Sequence, residues 1–186
     1  MALKNYLLIL MMYVAMIFFA CNKPVKRNNE IDKIEIATGS CLRRCPVVGL
    51  IIDSTLNMQY YGGYRAKLQG YHYGKVTQGF WDTLNVKLRQ IDFKKLDTSF
   101  IRLPLDAESA EAIVYQGANK RHVFVPIEGN TGPAASVFTW IINSYRSIKL
   151  QKLNSKVKFE TTFQFMMPPT PKAPADQVIF PPPKKK

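Results

Sequence analysis

The chain has 186 residues, of which 47% are hydrophobic, 12% aromatic and 21% charged. That length suits one domain with appended segments, and the composition excludes a wholly disordered chain, a collagen-like repeat and a multispanning membrane protein. Lys and Arg outnumber Asp and Glu 26 to 13, a net charge of +13, but residues 1–30 carry +3, residues 31–150 carry +5 and residues 151–186 carry +5. More than half of the excess therefore lies in the flanks. No basic stripe interleaved with aromatics runs along one element, which argues against a nucleic-acid partner.

Lys4 followed by the uncharged apolar stretch from Tyr6 to Ala20 has the form of an export signal. It is too short for a membrane span, which needs about 20 apolar residues. Its end, Ile17-Phe18-Phe19-Ala20-Cys21, resembles a bacterial lipobox, with Phe18 standing where Leu, Val or Ile is usual. Residues 1–21 are thus expected to be a lipoprotein signal peptide, and Cys21 the lipid attachment site that anchors the chain to a membrane. The alternative is an ordinary apolar cysteine at the end of a membrane anchor or of a signal cleaved elsewhere. Either way the body is exported. Residues 22–30 have almost no apolar content and read as a flexible tether. Acidic residues directly after Cys21 are missing, which favours a periplasm-facing location.

Cys41 and Cys45 remain. An even number of thiols in an oxidising compartment suggests one disulfide, and closing a loop of about five residues contributes only roughly 2 kcal/mol. Two other readings compete. Thiol-redox chemistry is one, although Cys-Leu-Arg-Arg-Cys has three residues between the thiols where thioredoxin-like motifs have two. Zinc is the other. It would want four ligands with only His72 and His122 to complete them, and neither histidine has ligand spacing. Both histidines read as ordinary surface or strand residues, and no metal or cofactor is expected.

From Ile31 onward the periods are informative. Ile34 and Ile36 alternate with Lys33 and Glu35 in a half-buried strand. Short strands follow at 47–52, 57–61 and 69–73, too closely spaced for crossover helices, so they should pair as an antiparallel meander. Phe80, Trp81, Leu84, Leu88 and Ile91 mark one face of a helix, with Asp82, Asn85, Lys87 and Arg89 opposite. A hairpin is expected at 111–125, turning at Gly117-Ala118-Asn119-Lys120. Gly132-Pro133 starts a second helix with the apolar stripe Val137, Phe138, Ile141, Ile142, Tyr145 and Ile148. Both stripes, Trp81 and Trp140 included, read as helix faces packed on a sheet. Val157, Phe159, Thr161, Phe163 and Phe165 alternate with polar residues and predict an edge strand.

Residues 31–166 are therefore expected to form a single α+β domain with an antiparallel sheet of about six or seven strands packed against two helices. Residues 167–186, with seven of the 12 prolines and a final Lys184-Lys185-Lys186, are expected to be a solvated, disordered tail.

The segment Ala37-Thr38-Gly39-Ser40-Cys41-Leu42-Arg43-Arg44-Cys45-Pro46, then Tyr60-Tyr61-Gly62-Gly63, Gly70-Tyr71-His72-Tyr73 and the helix from Phe80 to Ile91 resemble domain of unknown function 6438 over about residues 31–150. In the turn after the second strand, Ser54-Thr55-Leu56-Asn57 stands where an aspartate and a glycine are common. The resemblance implies a small α+β domain on an exported bacterial protein, commonly a lipoprotein, and carries no catalytic residue. No serine has a Gly-x-Ser-x-Gly setting, and Asp106 and Glu108 read as solvated loop acids. The expected function is a membrane-anchored, non-enzymatic binding or envelope component facing an envelope protein or glycan. A thiol-redox protein using Cys41 and Cys45 is the alternative.

Overall fold

The computed structural model of the chain describes residues 30–39, 41, 45–96, 107–129 and 131–165. The expected signal segment with Cys21, residues 22–29 of the tether, Arg43, Arg44, Asp106 and the proline-rich tail lie outside the described residues.

One antiparallel sheet contains β1 (Lys33–Thr38), β2 (Val48–Asp53), β3 (Asn57–Gly62), β4 (Gly70–Lys75), β5 (Ser109–Gln116), β6 (Asn119–Pro126) and β7 (Gln151–Lys152), in the order β6-β5-β1-β2-β3-β4-β7. The first four strands are the expected meander, because their connections are too short for anything but antiparallel neighbours. The chain then crosses one face as a helix, and β5 returns to the open side of β1, with Ile36 opposite Ala112. The β5–β6 hairpin is tighter than expected. Gln116 pairs with Asn119, so only Gly117 and Ala118 form the turn. Between β2 and β3, Leu56 takes the left-handed conformation (φ 65°), while Asp53 Oδ1 accepts the backbone N–H of Thr55 at 2.9 Å and of Asn57 at 3.2 Å. Side-chain capping by Asp53 thus does the work a glycine would do there.

Two helices cover one face, α1 (Gln78–Gln90) and α2 (Pro133–Asn143). Thr77 caps α1 by accepting the Phe80 N–H at 3.2 Å, and Pro133 occupies the first turn of α2 after Gly132, where its missing N–H costs nothing. Leu84, Leu88, Phe138 and Ile141 are fully buried against Ile34, Ile36, Leu50, Ile52, Met58 and Tyr60, each large apolar side chain contributing about 1.5–3 kcal/mol.

Three expectations about the helices change. Asn85 is not on the solvent side: it is buried, and its Oδ1 accepts the Ile31 N–H at 3.0 Å, which satisfies a donor at the start of the domain. The second helix ends at Asn143 and tightens into a 3-10 turn over Ser144–Ser147. Trp140 is half-buried and stacks on Phe80 of α1, centroids 4.8 Å apart and 17° between planes, so it joins the two helices.

The expected edge strand at 157–165 is absent. Its period of two is real, with Phe159, Thr161 and Phe163 buried, but the segment crosses the sheet face opposite the helices as a strap and ends in a 3-10 turn, Phe163–Phe165. Two buried carboxylates hold it there. Glu35 Oε2 accepts the Glu160 N–H at 2.7 Å, and Glu111 Oε2 accepts the N–H groups of Thr162 and Phe163 at 2.6 and 2.8 Å. Phe159 rests on Gly49, where a Cβ would meet its ring at 3.2 Å. An extended chain whose backbone donors are taken by side-chain carboxylates has no need of a neighbouring strand. The edge position beside β4 goes instead to the two-residue β7.

Candidate functional site

One end of the sheet gathers the chemistry-bearing residues. There Thr38 of β1 is opposite both Val48 and Ala110, and Ser109 of β5 faces Pro126 of β6. The loop between β1 and β2 is fastened at its base by Thr38, whose Oγ1 donates to the Pro46 carbonyl at 2.8 Å and accepts the Val48 N–H at 3.1 Å. Val47 exchanges backbone hydrogen bonds with Gly63 and Tyr64, both at 2.9 Å. Such anchoring holds Cys45, one residue before Pro46, in a fixed place.

Cys41 and Cys45 lie at disulfide distance, their sulfurs 2.08 Å and their Cα atoms 5.4 Å apart, inside the limit of about 7 Å for a bridge without backbone movement. The Cys45 N–H donates to Cys41 Sγ at 3.3 Å. Both cysteines are only 8% exposed. The bridge is therefore mostly covered, which slows an incoming thiolate, since it must reach a sulfur directly to exchange.

The turn after β6 brings Glu128 to the same place, its carboxylate within 4.8 Å of both sulfurs. Glu108 faces it from the start of β5. The Glu108 carbonyl accepts the N–H groups of Ile127 and Glu128 at 2.8 and 3.0 Å, and its own N–H donates to Glu128 Oε2 at 3.3 Å. Burial, and then the charge of Glu128, push the Glu108 carboxyl above the usual carboxylate range. Glu108 also lines a cavity of about 230 Å³ together with Pro46, Ile142, Asn143, Tyr145 and Arg146. Glu108 is thus half-buried, not a solvated loop acid, and its acidic neighbour is Glu128.

The histidines lie elsewhere. His72 is buried in β4, edge-on to Tyr60 with centroids 5.8 Å apart. His122 of β6 contacts Glu111 through Nε2 at 2.8 Å on the strap face. Thr162 Oγ1 donates to that same carboxylate at 3.1 Å. Since the hydroxyl hydrogen goes to Glu111 and not to an imidazole nitrogen, this trio docks the strap and forms no nucleophile–base pair. Among the described residues no helix is long and apolar enough to cross a membrane.

Glu128 and Glu111 carry no signal in the sequence. Each stands alone among neighbours that fit its element, and each gains its role from residues 51 to 87 positions away.

A search among characterised proteins finds no match to this chain. The family comparison does, over residues 32–143, a span that holds β1 to β6, both helices, the two cysteines and Glu128 but leaves out the strap. The chain belongs to the family described as domain of unknown function (DUF6438).

Proposed function

We propose that the protein is an exported lipoprotein of the cell envelope, tethered through lipid on Cys21, facing the periplasm and acting as a non-enzymatic binding domain. The closed, mostly buried Cys41–Cys45 pair carries this reading, because such bridges persist in oxidising compartments and are rare in the cytosol. The export-signal pattern ending at Cys21 agrees with it. The cavity bordered by Glu108, Asn143, Tyr145 and Arg146 supplies a polar recess for a segment of an envelope protein; a glycan is the other occupant. Metabolic labelling with an alkyne fatty acid tests the anchor: label on the wild-type chain, none on Cys21→Ser, and thiols unreactive to alkylation in intact cells are expected. A photo-crosslinker at Thr139, which lines the cavity, tests the recess. A saturable adduct lost in Ile142→Trp supports it, and an unlabelled chain in the soluble cytosolic fraction overturns the reading.

One observation favours thiol-redox chemistry as the second reading. Glu128 stands beside both sulfurs, where a carboxylate can pass protons during exchange. Turnover in an insulin-reduction assay would favour it, and an inert bridge would remove it.

A further inference from the structure

We propose that, once reduced, Cys41 and Cys45 combine with Glu128 to bind a thiophilic divalent cation of the zinc class. The inference needs only that the bridge can be opened. It does not depend on the binding reading or on the membrane anchor.

The two thiols follow the Cys-x₃-Cys spacing, within the range of local zinc chelates. The third donor comes from the turn after β6, and the ligand atoms of all three residues already lie within 4.8 Å of one another. Two thiolates on one tetrahedral zinc, each at about 2.3 Å, stand roughly 3.8 Å apart. With Cα atoms 5.4 Å apart, side-chain rotation alone takes the reduced sulfurs to that separation.

Two of the three ligands already have backbone donors aimed at them. The Cys45 N–H points at Cys41 Sγ and the Glu108 N–H at Glu128 Oε2, both at 3.3 Å, the kind of surrounding hydrogen bonds that orient ligands around a metal. Both halves of the site are held from behind. Thr38 and Tyr64 fix the chain after Cys45, and the Glu108 carbonyl fixes the turn that carries Glu128. His72 and His122 play no part. Three protein ligands leave a fourth position for water, the arrangement of an open site and not of a closed structural one.

The site is gated by oxidation state, because a sulfur in an S–S bond offers no thiolate. A dithiol donor gives two electrons and two protons, leaves as its own disulfide and breaks the Cys41–Cys45 bond. The cation then displaces the two thiol protons to solvent as two metal–sulfur bonds form.

The test titrates Co²⁺, as a coloured substitute for Zn²⁺, into the full chain purified in two states. One is oxidised. The other is reduced with a phosphine, which takes up oxygen from water, and is then desalted without air. Expected are one equivalent bound by the reduced chain with a thiolate-to-cobalt charge-transfer band and tetrahedral visible bands, displacement by Zn²⁺, and no such bands from the oxidised chain. Glu128→Gln should weaken binding by about 10–100-fold, and Glu128→His, which restores a ligand, should recover most of it. Because Glu128 is exposed, both variants should keep the wild-type circular dichroism spectrum. A reduced chain that shows no charge-transfer band, or a Glu128→Gln variant with wild-type affinity, overturns the proposal.

Discussion

Glu111 Oε2 accepts the backbone N–H of Thr162 at 2.6 Å, joining the interior of the sheet to a residue 51 positions further along the chain. The same oxygen takes the Phe163 N–H and the Thr162 hydroxyl, and the other oxygen takes His122. Fully buried, the carboxylate exchanges its water shell for four protein partners, which is the condition under which a buried charge is tolerated.

Removing that hub should therefore release the strap. Glu111→Ala leaves several donors unmet and should lower stability by about 3–5 kcal/mol, the usual cost of breaking a buried charged network. Amide hydrogen exchange at Thr162 and Phe163 reads the release directly. Glu111→Gln keeps an acceptor and should lose less. Unchanged protection at both amides in Glu111→Ala would show that apolar contacts alone, Phe159 on Gly49 and Phe163 near Phe124 at 5.6 Å, hold the segment.

The disulfide should matter little to the fold. Its loop is short, so opening it should reduce stability by only about 2 kcal/mol. A Cys41→Ser, Cys45→Ser double variant is expected to give a single cooperative urea transition at a slightly lower midpoint with the same slope. A collapse of the slope would mean that the bridge organises more of the domain than its loop.

Alkaline pH should unfold the protein earlier than its lysines alone would require. Burial, followed by the nearby Tyr145, raises the Tyr60 hydroxyl above the ordinary tyrosine value of 10.0, and burial, followed by the hydrogen bond to Glu160, does the same to Tyr115. The folded state thus holds these protons more tightly than the unfolded chain. The stabilisation is complete below pH 10.0 and is lost as pH rises above it. Tyr60→Phe removes the hydrogen bond to the Leu68 carbonyl and should cost about 1 kcal/mol at neutral pH, while flattening the alkaline limb of a stability–pH curve. An equally steep limb in the variant would assign it to other groups.

Backbone crowding singles out Gly62. A Cβ there would stand 1.8 Å from the Leu68 carbonyl oxygen, so Gly62→Ala must displace backbone and should cost at least about 3 kcal/mol. Gly79→Ala in α1, where nothing lies within 4 Å, should be neutral or stabilising by up to about 1 kcal/mol. Thermal melts of the pair make the comparison, and a mild Gly62→Ala would contradict the packing described.

The Phe80–Trp140 stack should couple α1 to α2. A double-mutant cycle with Phe80→Leu and Trp140→Leu is expected to give an interaction of about 0.5–1.5 kcal/mol. Additive losses would mean that each ring is held by the sheet alone.

Local pattern by itself was enough for the α+β class, the meander β1 to β4, the β5–β6 hairpin, the apolar face of α1 and the start of α2, because residue period and turn residues act over a few positions. Pattern also revealed the alternating burial from Val157 to Phe163, but a period of two reports only alternating sides of a chain, and tertiary contacts decided that the segment lies across a face, not along an edge, and ends in a 3-10 turn. Likewise Glu35 alternates with Ile34 and Ile36 as a solvent-facing residue would, yet the strap that covers it comes from 125 positions away. The nearness of Cys41 and Cys45 could be read from their spacing. That Glu128 joins them could not, since it depends on the non-local pairing of β5 with β1, which sets the β5–β6 hairpin next to the first strand. Short-range preferences belong to the chain alone; which distant carboxylate meets which backbone donor or sulfur is decided by burial, where an unpaired polar group costs more than the order needed to pair it.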